Sequence, residues 1–182
     1  MPVALTLAER GHMALLARWR GALDLVGPGP LEPHFEDAAR AVGWLQPSGR
    51  WADLGSGAGF PGVALAARFP EIEVDLVESR AKRATFLAQV VADCCIKNAT
   101  IMRQRVEELA DESYDGVISR AFKPPELYLA DALRLLRPGG VAVLLLAQQA
   151  PPAIAGLAMF HVEHYAVDGR QRAAVGYRKI GS

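Results

Sequence analysis

Apolar and polar positions along this chain follow two periods, one typical of helices and one typical of strands. From residue 50 onward, short apolar runs of strand length are separated by segments with helical spacing. This order of strands and helices predicts a parallel sheet with helices on both faces, an α/β fold. The predicted strands are Arg50–Leu54, Ile72–Glu78, Thr100–Arg103, Tyr114–Ser119 and Val141–Leu146, and the helices between them are Pro61–Phe69, Arg80–Cys95 and Glu126–Leu136.

Both ends of the chain depart from this alternation. Thr6-x-x-Glu9 is a capping box that predicts a helix over Leu7–Arg20, and a second helix is expected over His34–Trp44. We therefore expect residues 1–45 to form a helical cap that belongs to the same domain as residues 46–182. At the other end, Phe160–Val167 and Arg172–Ile180 are strand-like and have only four residues between them, which predicts an antiparallel hairpin.

The segment 51–62 carries the strongest chemical signal. Asp53 ends an apolar run, and glycines follow it at positions 55, 57, 59 and 62. Glycine at this spacing permits positive φ angles and lets a turn close on a ligand without a Cβ in the way. The segment therefore predicts a nucleotide-type site between the first strand and the next helix.

Two ligand classes fit this loop. Gly57-x-Gly59-x-x-Gly62, with Glu78 as the acid that binds ribose, matches the dinucleotide fingerprint. Asp53-x-Gly55-x-Gly57-x-Gly59 matches the S-adenosylmethionine loop of class I methyltransferases. Charge favours the second class, because a carboxylate beside the turn repels a pyrophosphate but attracts an ammonium or a sulfonium. The C-terminal hairpin favours it too, since the Rossmann-like, seven-stranded methyltransferase sheet ends this way and a dehydrogenase domain continues with strand–helix units.

Composition restricts the partners and the compartment. The net charge is zero, so an RNA contact would have to come from a local basic patch. Cys94 and Cys95 are adjacent in an apolar segment, as expected for reduced cysteines of a cytoplasmic protein. We expect no membrane segment, because Val141–Ala147 is too short to span a bilayer, and we expect no metal site.

The ends of two further strands carry chemistry. Glu78 ends the second strand, at the edge where open α/β sheets bind ligands, and can accept hydrogen bonds from ribose hydroxyls. Arg120 ends the fourth strand, and its guanidinium suits a phosphate or the O6/N7 edge of guanine. Phe122 and Tyr128 are candidates either for stacking on a base or for core packing.

Four segments together resemble the family of 16S rRNA guanine-N7 methyltransferases, also called glucose-inhibited division protein B (GidB, RsmG). The segments are Asp53–Gly62, Glu78–Arg83, Arg105–Glu108 and Gly116–Phe122. The similarity extends from His34-Phe-Glu-Asp37 to Arg172 and so covers nearly the whole chain.

The resemblance implies an enzyme that transfers a methyl group from S-adenosylmethionine to N7 of a guanine in bacterial 16S rRNA or the small ribosomal subunit. Expected cofactor-binding residues are Asp53, Gly55, Gly57, Gly59, Phe60, Glu78, Val106, Glu107 and Arg120. Arg120 and Ser119 are expected to be catalytic, and the expected substrate-binding residues are His34, Lys123 and Arg172. We expect a monomer.

Two departures from the family pattern keep other functions open. Asp24-Leu25-Val26 stands where the family has Asn-Leu-Thr, and Leu145-Leu146-Ala147 lacks the family's lysine after the fifth strand. Each lost lysine is one fewer phosphate contact. A class I methyltransferase acting on a different RNA, a small molecule or a protein remains an alternative, as does a catalytically silent S-adenosylmethionine-binding module.

Overall fold

Two helices, a central run of alternating strands and helices, and a final pair of strands make up residues 3–147 and 149–181, the part of the chain that this computed structural model describes. The α-helices are α1 (Leu7–Leu23), α2 (Glu32–Val42), α3 (Gly62–Arg68), α4 (Ala81–Asp93) and α5 (Pro125–Leu135). The strands are β1 (Arg50–Leu54), β2 (Glu73–Val77), β3 (Ala99–Met102), β4 (Tyr114–Arg120), β5 (Leu136–Leu146), β6 (Leu157–Val167) and β7 (Arg170–Lys179). Each predicted helix and strand is present, with most ends displaced by one to three residues.

All seven strands form one sheet in the order β3-β2-β1-β4-β5-β7-β6. Strands β1 to β5 pair parallel, and β7 pairs antiparallel with both β5 and β6. The expected arrangement, a mostly parallel seven-stranded sheet with a C-terminal antiparallel hairpin, is therefore confirmed. Because β1 is flanked by β2 and β4, its carboxyl end lies at the middle of the sheet edge where ligands bind.

Successive residues of a strand point to opposite faces of the sheet, and each face is covered by its own hydrophobic core. Trp51 belongs to the core under α1, α2, α3 and α4, whereas Ala52 and Leu54 belong to the core under α5. The two N-terminal helices contribute Leu16 and Phe35 to the first core, so they share it with the sheet. This shared core supports treating the N-terminal helices as part of one domain.

The start of α1 is fixed by the expected capping box. The Thr6 hydroxyl accepts a hydrogen bond from the Glu9 amide, and the Glu9 carboxylate accepts one from the Thr6 amide. The buried Glu9 carboxylate also binds the Arg68 guanidinium at the end of α3, at 2.8 and 2.9 Å. Glu9 thus caps the start of α1 together with Thr6 and also attaches the helix to α3 of the sheet domain.

The C-terminal hairpin turns more tightly than the sequence predicted. Its loop has two residues, Asp168 and Gly169, with φ angles of 49° and 69°. Positive φ at both positions is the backbone of a type I′ turn, for which Asp-Gly is a preferred pair. Arg170 and Gln171, expected in the loop, are therefore the first residues of β7.

The segment Arg137-Pro138-Gly139-Gly140, predicted as a turn before the fifth strand, lies within β5. Leu136 pairs with Tyr114, and the next pair is Val141 with Gly116, so the extra residues form an irregularity in the ladder. The predicted turn therefore lies inside the strand instead of before it: residues 137–140 leave the ladder, with a φ angle of 78° at Gly139, and β5 continues on both sides of them.

Among residues 3–147 and 149–181, no helix combines the length and the apolar character required to cross a membrane.

Candidate functional site

Two neighbouring cavities open at the carboxyl edge of the parallel strands. The first cavity has a volume of about 460 Å³, and among the residues that line it are Gly55, Glu78, Arg80, Arg83, Val106, Glu107, Phe122 and Lys123. The second cavity has a volume of about 330 Å³ and is lined by His34, Asp37, Arg120, Ala121, Leu145, Leu146, Ala147 and Arg172. Ala121 also lines the first cavity, so the two cavities meet at the end of β4.

Glu78 fixes the glycine loop and the start of α4. One carboxylate oxygen accepts a hydrogen bond from the Gly57 amide at 3.1 Å, and the other accepts one from the Arg80 amide at 2.8 Å. Each carboxylate oxygen has a second lone pair, and the side chain lines the first cavity. A ligand with a pair of hydroxyls can therefore bind Glu78 while the loop stays in place.

Asp53 lies beneath the glycine loop instead of facing a cavity. Its side chain is fully buried, Oδ2 accepts a hydrogen bond from the Gly62 amide at 3.0 Å, and Oδ1 has no hydrogen-bond partner among the described residues. Burial raises the pKa of Asp53 to about 7. The sequence predicted contact between this carboxylate and the ligand, whereas the structure places it under the loop, outside both cavities.

The glycine loop is tightly packed on both sides. A Cβ at Gly55 would collide with the ring of Phe122, and one at Gly59 would lie 2.7 Å from Val63 and 3.0 Å from the His12 ring. The φ angles of 72° and 98° at these positions also favour glycine. Of the predicted cofactor residues in the loop, Gly55 lines the first cavity, whereas Gly57, Gly59 and Phe60 line neither.

The short 3₁₀ helix Val106–Glu108 forms another wall of the first cavity. Val106 is buried, and Glu107 is exposed and pairs with Lys123 at 2.7 Å. Its hydrogen bond to Lys123 holds the pKa of Glu107 below its ordinary value. Lys123 also binds Asp131 at 2.7 Å.

The position of Lys123 departs from the expectation that it binds substrate. It lines the first cavity, on the side of the predicted cofactor residues, and does not line the second. Two carboxylates already neutralise its charge. The arrangement therefore supports a role in closing the first cavity and gives no support to a substrate contact.

Arg120 lies between the N-terminal helices and the sheet. Its guanidinium donates to Asp37 Oδ2 at 3.3 Å and stands 4.6 Å from the ring centroid of Phe60. Asp37 is in turn oriented by the Tyr165 hydroxyl, which donates to Oδ1 at 2.8 Å. Asp37 thus supplies a counter-ion for this largely buried arginine.

The side chains of Ser119 and Tyr128 are buried, and their hydroxyl groups bind backbone carbonyls of the sheet. The Ser119 hydroxyl is buried and donates to the Leu54 carbonyl at 2.9 Å, joining the ends of β4 and β1. The Tyr128 hydroxyl donates to the carbonyls of Val117 and Val143. These positions do not support a catalytic role for Ser119, and of the two alternatives for Tyr128 they favour core packing.

His34 and Arg172 are brought together at the second cavity, as expected for substrate-binding residues. The His34 ring stacks on Phe60 with centroids 5.8 Å apart. Burial and the nearby Arg120 charge lower the pKa of His34. The side chains of His34, Arg120 and Arg172 therefore surround one opening, although they are far apart in the sequence.

Sequence reasoning missed two residues of this site. Asp37 was noted only as part of the family's His-x-x-Asp pattern, and nothing in its local sequence indicates that it pairs with an arginine 83 positions away. His12 was assigned no role, yet its Nε2 lies 2.7 Å from the carbonyl oxygen of Ala58 in the glycine loop. Its position in a helix interior is the only signal that the sequence offers.

Comparison with known proteins supports the fold and identifies the family. A family model described as rRNA small subunit methyltransferase G matches residues 10–164. The ribosomal RNA small subunit methyltransferase G of Hydrogenovibrio crunogenus is 34% identical over 154 residues, which make up 82% of this chain and 71% of that protein. The protein of the same name from Pseudomonas aeruginosa is 37% identical over 120 residues, 63% of this chain. The matched region spans only 56% of the length of that relative.

A solved structure adds support for the fold alone. A mutant of MtNAS in complex with S-adenosylmethionine superposes with a TM-score of 0.67 at 14% identity, covering 96% of this chain and 72% of that one. The family model covers most of the chain, and the sheet has the seven strands and the C-terminal antiparallel hairpin that the resemblance implied. The chain belongs to the rRNA small subunit methyltransferase G family.

Proposed function

We propose that this protein transfers a methyl group from S-adenosylmethionine to N7 of a guanine in bacterial 16S rRNA. Membership of the rRNA small subunit methyltransferase G family supports this function. The observation that carries it is the junction of the two cavities at Ala121, because methyl transfer requires donor and acceptor sites that meet.

The residues of the first cavity fit S-adenosylmethionine. Its volume of about 460 Å³ lies within the usual range for small-molecule sites, about 300–1,000 Å³. The Glu78 carboxylate suits the ribose hydroxyls, and Val106 and Glu107 suit the adenine edge. Oδ1 of the buried Asp53 has no partner among the described residues, and a cation bound nearby would favour the ionised form of this carboxyl group. The bound cofactor supplies an activated methyl group on a sulfonium.

The chemistry requires positioning more than proton transfer. Guanine N7 has a free lone pair, so in-line attack on the methyl carbon needs no prior deprotonation. In this proposal Arg120 and Arg172 orient the target nucleotide at the second cavity, and His34 forms part of its wall. Correct orientation of two reactants can by itself lower a barrier by several kcal/mol.

The test is methylation of small ribosomal subunits that lack the modification. Subunits and naked 16S rRNA from a deletion strain are incubated with the protein and isotope-labelled S-adenosylmethionine, and N7-methylguanine is mapped by chemical cleavage and mass spectrometry. We expect one labelled guanine in 16S rRNA. Binding of S-adenosylmethionine without any transfer to rRNA would contradict the proposed substrate.

A second candidate function follows from the charge of the chain. A net charge of zero is unusual for a nucleic-acid-binding protein and favours a class I methyltransferase with a small-molecule or protein substrate. A second labelling experiment, on cell extract from the deletion strain, separates the two functions. With a small-molecule or protein substrate, the incorporated methyl groups would survive treatment of the extract with RNase.

We further propose that the protein acts as a monomer in the cytoplasm, where its rRNA substrate is made. One chain lines both cavities, so the site requires no second copy. Sedimentation equilibrium at micromolar concentration should give a mass near 19.6 kDa, and a dimer mass would contradict this proposal.

A further inference from the structure

His12 is a buried, polar residue to which the proposed reaction assigns no role. It lies on α1, outside both cavities, and its side chain is 1% exposed. Its Nε2 lies 2.7 Å from the carbonyl oxygen of Ala58. A carbonyl oxygen can only accept, so Nε2 carries the hydrogen and donates it.

The surroundings of His12 keep its ring uncharged. Its centroid lies 5.0 Å from that of Phe35, 5.1 Å from Phe60 and 6.1 Å from Phe86. The charged groups that act on it are Glu9 on α1, whose carboxylate pairs with Arg68, and Arg120 on β4. Burial lowers the pKa of His12 to about 4, so the ring is a neutral donor throughout the physiological range.

The acceptor of this hydrogen bond is a central point of the glycine loop. Ala58 lies between Gly57, whose amide donates to Glu78, and Gly59, whose amide donates to the Ser56 carbonyl at 2.7 Å. The His12 ring fills the space that a Cβ at Gly59 would need. The bond therefore holds the backbone that connects the Glu78 side of the site to Phe60.

The same ring also supports the substrate side of the site. Phe60 contacts the His12 ring on one side and carries the Arg120 guanidinium at 4.6 Å from its centroid. A shift of the loop at Ala58 would consequently move Phe60, and with it the support of Arg120. His12 therefore links α1 to the backbone beside the first cavity and, through Phe60, to Arg120 at the second.

We propose that His12 is a positioning residue, which fixes the glycine loop in its binding conformation by donating Nε2–H to the Ala58 carbonyl. The proposal rests on the proposed function, because it assigns the loop to S-adenosylmethionine. It predicts that the bond sets cofactor affinity without His12 touching the cofactor.

The decisive comparison is between His12→Leu and His12→Gln, with Leu16→Ala as the matched control. His12→Leu leaves the Ala58 carbonyl buried without a donor, whereas His12→Gln retains a donor. Leu16 is fully buried one turn further along α1, so its truncation weakens the core but leaves the hydrogen bond between His12 and Ala58 in place. All variants are compared by thermal unfolding and by calorimetric titration with S-adenosylmethionine.

We expect His12→Leu to weaken S-adenosylmethionine binding about tenfold or more, in line with the loss of one buried hydrogen bond. His12→Gln should recover most of this loss, and Leu16→Ala should lower the unfolding temperature while it changes affinity less than about twofold. Equal loss of affinity in His12→Leu and Leu16→Ala would show a merely structural role and overturn the proposal.

Two measurements do not depend on cofactor binding, and the first of them uses wild-type protein and so requires no variant to fold. Nitrogen-15 NMR of wild-type protein should show His12 as the neutral Nε2–H tautomer from pH 5.5 to 8, and the Nδ1–H tautomer or a charged ring would overturn the proposal. Amide exchange in the ligand-free protein should be faster over residues 57–63 in His12→Leu than in His12→Gln. If wild-type protein binds no S-adenosylmethionine, the proposed function fails, and these two measurements still decide the role of His12.

Discussion

Arg120 is held by contacts from three different parts of the chain. Asp37 on α2 neutralises its charge, Tyr165 on β6 orients Asp37, and the Phe60 ring of the glycine loop supports the guanidinium. This pairing explains how an arginine can be placed next to a site for a cationic methyl donor. It also leaves part of the guanidinium free to contact a substrate at the second cavity.

We expect Arg120→Ala to lower methyl transfer to rRNA at least 100-fold, because the proposed orienting contact to the nucleotide is lost. Affinity for S-adenosylmethionine should fall much less, since Arg120 does not line the first cavity. Single-turnover transfer and calorimetric titration measure the two effects. Arg137→Ala, which removes an exposed arginine paired with Asp115, is the control. An equal loss of transfer and cofactor affinity would make Arg120 a cofactor residue instead.

The raised pKa of Asp53 predicts that the free energy of unfolding depends on pH. Burial raises its pKa from 3.8 to about 7, so the folded protein holds this proton more tightly than the unfolded chain does. The stabilisation is complete below about pH 4 and is lost as the pH rises through about 7.

Asp53→Asn should remove this dependence while retaining an acceptor for the Gly62 amide. Between pH 4 and 8, we expect the variant to gain up to ~4 kcal/mol in free energy of unfolding relative to wild type. Urea unfolding at several pH values measures the difference. Parallel stability curves for the two proteins would contradict the raised pKa.

At the scale of elements, α1 is the helix whose start was predictable from four consecutive residues. A capping box acts over three positions, so Thr6 and Glu9 suffice to indicate it. The pairing of Glu9 with Arg68 was not predictable, because it depends on how α1 packs against α3. The hairpin was predicted from two strand-like segments with a short link, whereas its two-residue turn and the bulge in β5 are set by how the strands pair.

Because Glu9 both caps α1 and pairs with Arg68, we expect substitutions of Thr6 and Glu9 to lower the free energy of unfolding by different amounts. Thr6→Ala should lower the free energy of unfolding by about 1 kcal/mol, the usual cost of losing a cap. Glu9→Ala should cost about 2–3 kcal/mol, because it also leaves the largely buried Arg68 without its partner. Glu36→Ala, which breaks a more exposed pair with Arg40, should cost about 0.5 kcal/mol or less. Equilibrium urea unfolding tests this order, and equal costs for the first two variants would contradict the role of the Arg68 pair.

At the scale of the whole molecule, the neutral charge limits how RNA can be bound. Of the cations at the two cavities, Arg120 and Lys123 are paired with carboxylates, which leaves a small local patch. We expect the logarithm of the RNA affinity to fall with the logarithm of the salt concentration with a slope of only about −2 to −3. Fluorescence anisotropy with a labelled 16S rRNA transcript measures this slope.

Arg172→Gln should reduce the steepness of that slope by about one unit, as expected for a residue that contacts a phosphate. Arg137→Gln, at the opposite end of β5, should leave it unchanged. A wild-type slope steeper than about −6 would contradict a local patch and indicate that RNA covers much more of the surface.

Local patterns in the chain were enough to predict its strands, its helices, the glycine loop and the antiparallel hairpin. Each of these depends on residues within a few positions of one another, through backbone geometry and the alternation of buried and exposed side chains. The contacts that build the site depend on packing instead. Asp53 lies under its loop because α3 covers it, and His12 meets Ala58 because α1 packs against α3 and α4. Such long-range neighbours are set by which faces the folded core brings together, so only the three-dimensional structure reveals them.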